Sequence, residues 1–180
     1  MNAETLRDGI FALNTRRFGS VAEVLIARMA SLGKSRTLFH DLYDELENER
    51  VEVKFSRALK KSEKVITQES LLKCIEEATS LKRMVIWEDR KRVPFDCNIQ
   101  QIKRSEFEHL YYGIFFMDKV AIFRIASKDI GPQIFYSDFQ HKGNTGEGQF
   151  HINDKTIAIH EKHYLYQMIT YNKLLELLTS

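Results

Sequence analysis

The sequence predicts an α/β fold in which a mixed central β-sheet is flanked by helices. Segments with apolar residues at helical spacing alternate along the chain with short runs in which apolar and polar residues alternate. One hairpin-like pair of such runs lies in the N-terminal third of the chain, and a second, glycine-rich pair lies near the C-terminus. With 180 residues and no internal repeat or low-complexity segment, we expect a single domain over residues 1–180.

The composition is typical of a folded protein in water, because 43% of the residues are hydrophobic and 29% are charged. The formal net charge of +2 permits nucleic-acid binding but does not require it. Cys74 and Cys97 are too few for a disulfide framework, and we expect both to be reduced. No apolar run approaches the roughly 20 residues of a membrane helix, and the N-terminus lacks the apolar core of a signal peptide. We therefore expect a cytoplasmic protein with no membrane partner.

Two helices are predicted before the first strand. Residues Thr5–Asn14 form a short one, and Ser20 begins a longer one that runs to about Leu32, where Gly33 ends it. Glu23 lies three residues after Ser20, a spacing typical of a capping box in which the carboxylate bonds back to the Ser20 N–H. A second interpretation of Glu23, as an active-site residue, follows from the resemblance described below.

The stretch from Leu38 to Ala58 predicts a β-hairpin. Its first strand covers Leu38–Tyr43 and includes Asp41, and the polar residues Glu45–Arg50 form the turn. The second strand is centred on Val51–Phe55, where apolar and polar residues alternate. We expect these two strands to pair and to bring Asp41 to one end of a small sheet.

The second strand of this hairpin places charged side chains on one face. Because side chains alternate along a strand, Glu52 and Lys54 lie on the face opposite the apolar residues, and pairing of the strands brings Asp41 close to both. Two carboxylates and an ammonium group stabilise a fold poorly, because each charge is either desolvated or left in water. They are well suited to hold a hard divalent cation against a phosphate.

Further elements alternate between helix and strand after a basic connector. They are a helix over Thr67–Thr79, a buried strand over Met84–Trp87, a charged loop over Glu88–Arg92, a strand over Cys97–Ile102, a helix from Ser105 to near Gly113, strands over Ile114–Met117 and Val120–Ile125, and a helix from Thr170. The triplet Asp89-Arg90-Lys91 also has the spacing of an acid and a lysine two residues apart. It lies in the charged loop, so the Glu52 stretch is the better candidate site.

A glycine-rich loop separates two strand-like runs within Ile134–Ile152. Three of the six residues in Gly143–Gly148 are glycines, which let a backbone approach another molecule closely. Amide and cationic groups beside these glycines can pair with base edges or with phosphate. The residues that carry them are Gln140, His141, Lys142 and Asn144. Composition alone favours a surface hairpin with ordinary turn residues, and the alternative is a loop that contacts DNA.

Three histidines near the C-terminus, His151, His160 and His163, are compatible with a metal site or with an HNH-type nuclease. No cysteine or acidic ligand pattern accompanies them. Histidines in this setting are usually hydrogen-bonded in the core or solvated, and we expect the same of these three.

The central hairpin resembles the PD-(D/E)xK nuclease superfamily, the fold of many type II restriction endonucleases. In that superfamily an Asp precedes a short strand that carries Glu-x-Lys. Here Asp41 precedes Glu52-Val53-Lys54, which lie in the segment VEVKFSRA. The pattern departs at one position, because His40 stands where a proline often precedes the Asp. The segment QHKGNTGEGQFHI is also similar to one near the C-terminus of some bacterial restriction endonucleases. The resemblance implies a restriction endonuclease-like core with a C-terminal hairpin.

The resemblance further implies Mg²⁺-dependent hydrolysis of DNA phosphodiester bonds at a specific sequence, leaving 5′-phosphate and 3′-hydroxyl ends. Asp41, Glu52 and the Val53 carbonyl are expected to hold the ion. Lys54 is expected to position the attacking water and to stabilise the phosphate in the transition state. Many members of the superfamily place an acidic residue on the helix before the core sheet, facing the metal, and Glu23 corresponds to it.

A restriction endonuclease of this size is expected to bind double-stranded DNA as a two-fold homodimer. A companion DNA methyltransferase is expected in the same system. The expected DNA-binding residues are Gln140, His141, Lys142, Asn144, Arg57, Lys60 and Lys61. Two alternatives stay open, a repair or recombination nuclease of the same fold that recognises DNA structure, and a non-catalytic DNA-binding α/β module.

Overall fold

The computed structural model describes residues 1–62, 65–139 and 145–179. Within them the fold is mixed α/β, as predicted, and a mixed central sheet is flanked by helices. The helices are α1 (Ala3–Ala12), α2 (Thr15–Ala30), α3 (Leu71–Glu76), α4 (Ile157–Tyr164) and α5 (Tyr171–Thr179). The strands are β1 (Gly33–Lys34), β2 (Leu42–Asp44), β3 (Glu49–Arg57), β4 (Asp96–Ile102), β5 (His109–Phe115), β6 (Lys119–Ala126), β7 (Ser137–Phe139), β8 (Thr145–Asn153) and β9 (Leu165–Thr170).

Six strands form the larger sheet, in the order β1-β2-β3-β5-β6-β9. β3 and β5 are parallel, with Val51 opposite His109 and Arg57 opposite Phe115, and every other neighbouring pair of this sheet is antiparallel. The smaller sheet is antiparallel throughout, in the order β4-β8-β7. The central strands β5 and β6 are buried along most of their length, as expected for strands covered on both faces.

Apolar side chains pack on both faces of the larger sheet. One core lies between the sheet and the helices α1, α2 and α5, and it includes Phe11, Leu25 and Ile122. The other lies between the sheet and the layer of α4 and the smaller sheet, and it includes Phe123 and Phe150. Ile122 and Phe123 are neighbours on β6 and enter different cores because side chains alternate along a strand.

The parallel pairing of β3 with β5 requires a long crossover between them. This crossover spans residues 58–108 and contains α3, two short 3-10 turns and β4. β4 is not part of the larger sheet. It pairs with β8 in the smaller sheet and contacts β3. The side chains of β3 and β4 can therefore face each other across a groove.

The second helix begins earlier than predicted. Asn14 caps it, and the Asn14 Oδ1 accepts a hydrogen bond of 3.1 Å from the Arg17 N–H. Ser20 lies inside the helix, where its hydroxyl donates to a backbone carbonyl one turn earlier at 3.4 Å. The predicted capping box of Ser20 and Glu23 is therefore wrong, because the helix begins after Asn14 and Ser20 lies in its interior.

The first strand of the hairpin is shorter than predicted. β2 has three residues, and Leu38 and Phe39 are exposed ahead of it. The Ser35 hydroxyl accepts from the Thr37 N–H at 3.0 Å and donates to the Thr37 carbonyl at 3.0 Å, which bends the chain before β2. Asp41 consequently lies immediately before the strand instead of within it. The antiparallel pairing of β2 with β3 is as predicted.

The helix predicted over Thr67–Thr79 is reduced to the six residues of α3. None of them is buried, and Leu71 and Ile75 of the predicted apolar face are exposed. The apolar spacing predicted a face that packs on the core, but these side chains face solvent. Since most helical stability in proteins comes from packing, a helix without a buried face is not extended further.

Two further predictions within the crossover are wrong. Met84–Trp87 is not a strand, because Met84 makes only an isolated bridge to Leu59 and Trp87 begins a 3-10 turn. The helix predicted from Ser105 to Gly113 is replaced by a turn and by β5. Ser105 and Glu108 have the spacing of a capping box, which favoured a helix. The aromatic and apolar run of β5 instead pairs with a strand on each side, and this tertiary pairing overrides the local signal.

Most of the other predicted elements agree with the structure, whereas β1, α4 and β9 were not predicted. The strand at Cys97–Ile102 is β4, the hairpin across Asp118-Lys119 joins β5 to β6, and the C-terminal helix is α5. The C-terminal hairpin is formed by β7 and β8, although its tip, residues 140–144, lies outside the described residues. Cys74 and Cys97 are free, as expected. In the described ranges, no helix has both the length and the apolar character needed to cross a bilayer.

Candidate active site

The backbone of β3 holds Asp41 in place immediately before β2. The Asp41 N–H donates to the Val51 carbonyl at 3.2 Å, and its carboxylate oxygen Oδ2 accepts from the Val53 N–H at 2.9 Å. Leu42, the first residue of β2, pairs with Val51, and no residue of β2 lies opposite Val53. The Asp41 carboxylate therefore accepts the Val53 hydrogen bond that a further strand residue would otherwise accept. The Asp41 side chain is thereby fixed against the edge of β3.

Glu52 and Lys54 project from β3 beside this carboxylate. The Lys54 Nζ donates to Glu52 Oε1 in a short hydrogen bond and lies 3.5 Å from Asp41 Oδ2. Glu52 is buried, with 9% of its surface exposed, and the other two side chains are partly buried. The structure therefore brings together the three predicted residues, which span thirteen positions of the chain, around one ammonium group.

The surroundings shift the protonation of the two residues on β3. Burial raises the pKa of Glu52 to about 7, and the Asp41 charge adds to this effect while the Lys54 ammonium opposes it. Burial lowers the pKa of Lys54, but the charges of Glu52 and Asp41 outweigh it, so the net shift is upward. Lys54 is therefore a stable cation, and Glu52 is a carboxyl group that exchanges its proton near neutral pH.

Glu23 belongs to the same electrostatic environment, although it lies on α2. Burial raises its pKa, and so does the negative charge of Asp41, whereas Lys54 and Lys34 lower it. The cause is geometric, because α2 packs against β3 and directs Glu23 towards the groove beside Lys54. The prediction that this helix places an acid near the candidate site agrees with these positions.

The ligand atoms available for a metal are all oxygens. In the described part of the chain, no group of three His, Cys, Asp or Glu side chains is arranged to hold an ion alone. Asp41 and Glu52 supply two carboxylates, and the Val53 carbonyl points to the same side of β3 as its N–H, towards Asp41. Mg²⁺ is usually bound by one or two carboxylates together with water and substrate phosphate, so this donor set fits Mg²⁺.

A small cleft of about 280 Å³ is lined by Asp41, Glu52 and Lys54. Its opposite rim carries Lys103, whose Nζ lies 3.7 Å from Glu106 and 3.6 Å from Glu147. His40 and Gln101 complete the wall near Asp41 and Lys54. The cleft is polar and large enough for a phosphate group with its attacking water.

A larger groove of about 1110 Å³ adjoins the small cleft and shares Lys54 and Gln101 with it. The groove runs between α2 and β3 on one side and β4 on the other. Among the described residues its lining holds six cationic side chains against two acidic ones, which makes it a positively charged channel. The cationic residues are Arg16, Lys54, Arg57, Lys60, Lys61 and Arg83, and the acidic ones are Glu23 and Asp96.

The predicted DNA-binding residues fall into two groups. Lys60 and Lys61 are exposed in the groove. Arg57 also lines it, but its guanidinium stacks 4.1 Å from the centre of the Phe18 ring and donates to the Leu13 carbonyl at 2.6 Å. Arg57 therefore has structural partners in addition to its place in the groove. Gln140, His141, Lys142 and Asn144 lie outside the described residues.

The C-terminal histidines are separated from the candidate site. His160 is buried, and its Nδ1 lies 2.9 Å from the Tyr112 hydroxyl. His151 pairs with Asp96 at 3.0 Å, and His163 is exposed on α4. The prediction that these histidines are hydrogen-bonded or solvated is confirmed.

Gln101 is a candidate site residue that the sequence did not indicate. It lies at a β-bulge of β4 and has a φ of 60°, a left-handed conformation that is unfavourable for a side chain of this kind. Bulges are frequent beside active sites, where they redirect a side chain. Here the bulge places Gln101 at the junction of the cleft and the groove. No local sequence signal marks this bulge, because it depends on the pairing of β4 with β8.

Comparison with known proteins adds no family assignment. No protein-family model matches the chain, and no curated protein matches it. The functional interpretation therefore depends on the geometry and charge of the cleft and groove.

Proposed function

We propose that the chain is a Mg²⁺-dependent deoxyribonuclease that cuts double-stranded DNA at a specific sequence, in the manner of the PD-(D/E)xK restriction endonucleases. One observation carries the proposal. Asp41, Glu52 and Lys54 meet at the point where a small polar cleft opens into a long cationic groove. Metal-binding carboxylates, a fixed cation and a surface that attracts the DNA backbone together support phosphodiester hydrolysis.

The two carboxylates and the Val53 carbonyl would hold the Mg²⁺. When bound, the ion supplies a water of lowered pKa and neutralises charge on the leaving oxygen. The Val53 N–H orients the Asp41 carboxylate through its 2.9 Å hydrogen bond, so this ligand does not have to be ordered on binding. Burial makes the Glu52 carboxylate costly to ionise alone, which favours its pairing with a cation.

Lys54 is the residue that we assign to the phosphate. Its ammonium lies between the two carboxylates and lines both the cleft and the groove. From this position it can donate a hydrogen bond to a phosphate oxygen or to the attacking water. A preorganised cation at the site of developing negative charge stabilises the transition state without reorganisation.

The cationic groove is the proposed path of the DNA backbone. Replacing both Lys60 and Lys61 with Ala is expected to weaken binding of duplex DNA. It should also reduce the magnitude of the slope of log K against log[salt] by about 1 to 2, because binding releases about one counterion fewer for each phosphate contact that is lost. Fluorescence anisotropy at several salt concentrations measures this slope. The matched control replaces Lys128 and Lys155, which are exposed outside the groove, and should leave the slope unchanged. Equal slopes for both double variants would contradict a backbone path through the groove.

Gln101 offers a test of whether its strained backbone serves the reaction. The change Gln101→Gly is expected to raise the free energy of unfolding by up to about 1 kcal/mol, because glycine tolerates a positive φ, and to slow cleavage about tenfold or more. Ser31→Gly is the matched control, since Ser31 has a φ of 55° at the end of α2. It should gain similar stability without loss of cleavage. Urea unfolding and a cleavage assay measure both properties, and full activity of Gln101→Gly would remove this side chain from the site.

Digestion of a mapped plasmid tests the proposed function. Discrete fragments in Mg²⁺, absent in EDTA and carrying 5′-phosphate ends, are the expected result. A cleavage pattern that follows DNA branches or ends would favour a repair or recombination nuclease, and binding without cleavage would favour a non-catalytic module. Absence of both binding and cleavage would contradict the proposal.

A site-specific nuclease implies further expectations for this chain. A palindromic site is cut most simply by a two-fold homodimer with one catalytic centre for each strand. We also propose a cytoplasmic location and a companion DNA methyltransferase that protects the host sites. Sedimentation of the protein with and without a duplex measures the oligomeric state.

A further inference from the structure

A row of uncharged amide side chains covers the outer face of the smaller sheet at its β4 edge. Residues alternate between buried and exposed along β4. Cys97 and Ile99 are buried, whereas Asn98 and Gln100 are exposed. Gln149 of β8 lies directly opposite Gln100 and is partly exposed on the same face. Asn98, Gln100 and Gln149 are called the amide ladder below.

The amides of this ladder hold one another in place. The Asn98 Nδ2 donates to Gln149 Oε1 at 3.1 Å and is 3.4 Å from Gln100 Oε1. Within the described part of the chain, the Asn98 oxygen and the nitrogens of Gln100 and Gln149 have no partner in the protein. The ladder therefore presents one amide oxygen and two amide NH2 groups to solvent on a preorganised surface.

The ladder lies beside the candidate active site. Asn98 and Gln100 line the cationic groove, together with Gln101 and Lys54. The cationic side chains of the groove come from α2, β3 and the segments at residues 59–62 and 83, whereas β4 contributes the amides. The two walls thus differ in chemistry, since one carries most of the positive charge, whereas β4 carries the amides and one acid, Asp96, which lies 3.0 Å from the His151 Nδ1.

On the basis of the proposed nuclease function, we infer that the amide ladder reads base edges in the major groove of the DNA substrate. Phosphate contacts position a duplex but carry no sequence information, whereas hydrogen bonds to base edges do. Asn and Gln pair bidentately with adenine, so the ladder favours A·T pairs within the site. The cationic wall then holds the backbone while β4 and β8 recognise sequence.

The dimensions of the ladder suit this role. The major groove of B-form DNA, about 12 Å wide, admits a two-stranded β-ribbon. Side chains on one face of a strand repeat every second residue, about 6.8 Å, and base pairs stack at about 3.4 Å. Asn98 and Gln100 are therefore spaced to reach bases two steps apart. The deep, narrow major groove of A-form RNA does not admit such a ribbon, which favours DNA as the partner.

Selection from a pool of random duplexes tests this inference without depending on cleavage. Wild type, Asn98→Ala and Gln149→Ala are incubated with the pool in Ca²⁺, which uses oxygen ligands like Mg²⁺, and the retained duplexes are sequenced. The matched control is Gln167→Ala, an exposed glutamine on β9 outside the groove. Thermal unfolding checks that each variant is folded. If one of these variants does not fold, Gln100→Ala takes its place. Within the described part of the protein, this change removes only the acceptor of the 3.4 Å contact with Asn98.

We expect wild type and Gln167→Ala to enrich the same motif. Each ladder variant should lose preference at one or two positions by about tenfold or more, the effect of removing one bidentate contact. Ladder variants that enrich the wild-type motif would overturn the inference and leave the proposed function standing. A wild type that retains duplexes without base preference would also overturn it. A wild type that retains no duplex would overturn both the inference and the proposed function.

Discussion

Replacing Glu52 with Gln, or Lys54 with Ala, is expected to lower Mg²⁺-dependent DNA cleavage by at least about a thousandfold. Glu52→Gln removes one of the two carboxylates proposed to bind the metal, and Lys54→Ala removes the cation proposed to contact the phosphate. Neither side chain contributes to the apolar cores, so both variants should fold. Cleavage under single-turnover conditions and a urea unfolding curve measure activity and stability separately.

The matched control for these variants is Glu45→Gln. Glu45 lies in the turn that follows β2, close to the site in sequence, and its carboxylate is 3.9 Å from the exposed Arg36. This change should leave cleavage within about twofold of wild type, because surface ion pairs contribute little. A Glu52→Gln or Lys54→Ala variant that cleaves at the wild-type rate would remove the β3 motif from the mechanism.

Acidification is expected to destabilise the fold through His160. Burial lowers the pKa of this imidazole to about 4, whereas it is about 6.5 in the unfolded chain. As the pH falls from 6.5 to 4, the unfolded state takes up a proton that the folded state excludes, so stability declines over this window by about 3 kcal/mol. Above pH 6.5 the imidazole is neutral in both states and has no such effect.

The packing around His160 explains this sensitivity. Its ring lies among Tyr112, Phe123 and Phe150, and its Nε2 is buried without a hydrogen-bond partner in the described residues. His160→Asn, whose Oδ1 corresponds to the His160 Nδ1 and can accept from the Tyr112 hydroxyl, should lose less stability on acidification than wild type. His163→Asn, an exposed change on the same helix, should behave like wild type. Urea unfolding at pH 7 and pH 4 measures the difference, and equal losses in all three proteins would contradict this role of His160.

The candidate site residues were accessible from the sequence because their arrangement is mostly local. Glu52 and Lys54 are two positions apart, so a strand necessarily places them on one face. Asp41 joins them through a short turn whose polar residues were also recognisable. The expected sequence position of Asp41 within a strand was wrong, yet its carboxylate still reaches β3, because one hydrogen bond to Val53 replaces the missing strand pair.

The N-terminal part of β5 was wrongly predicted as helix, because its formation as a strand depends on residues far away in the chain. The apolar run after Glu108 suits a helix or a buried strand equally well, and the spacing of Ser105 and Glu108 favoured a helix. In the structure Glu108 instead binds Arg50 at the start of β3, with its carboxylate accepting from the Arg50 N–H at 2.7 Å. This contact sets the parallel register of β3 and β5, and it joins residues 58 positions apart.

The groove and the amide ladder could not be predicted for the same reason. Asn98 and Gln149 were visible only as polar residues of two separate strands, and their contact needs the register of β4 with β8. Gln101 depends on a bulge in that same pairing. Conversely, the apolar spacing of Leu71, Cys74 and Ile75 predicted a helix, but no packing surface supports it.

Binding of Mn²⁺, measured by electron paramagnetic resonance, tests most directly whether the acids at positions 41 and 52 share one cation. Mn²⁺ accepts the same oxygen ligands as Mg²⁺ and is observable when free. We expect the wild-type protein with a duplex oligonucleotide to bind Mn²⁺ that Mg²⁺ displaces. Asp41→Asn and Glu52→Gln should each abolish this binding, and Glu45→Gln should retain it. Undiminished Mn²⁺ binding in both Asp41→Asn and Glu52→Gln would contradict the proposed site.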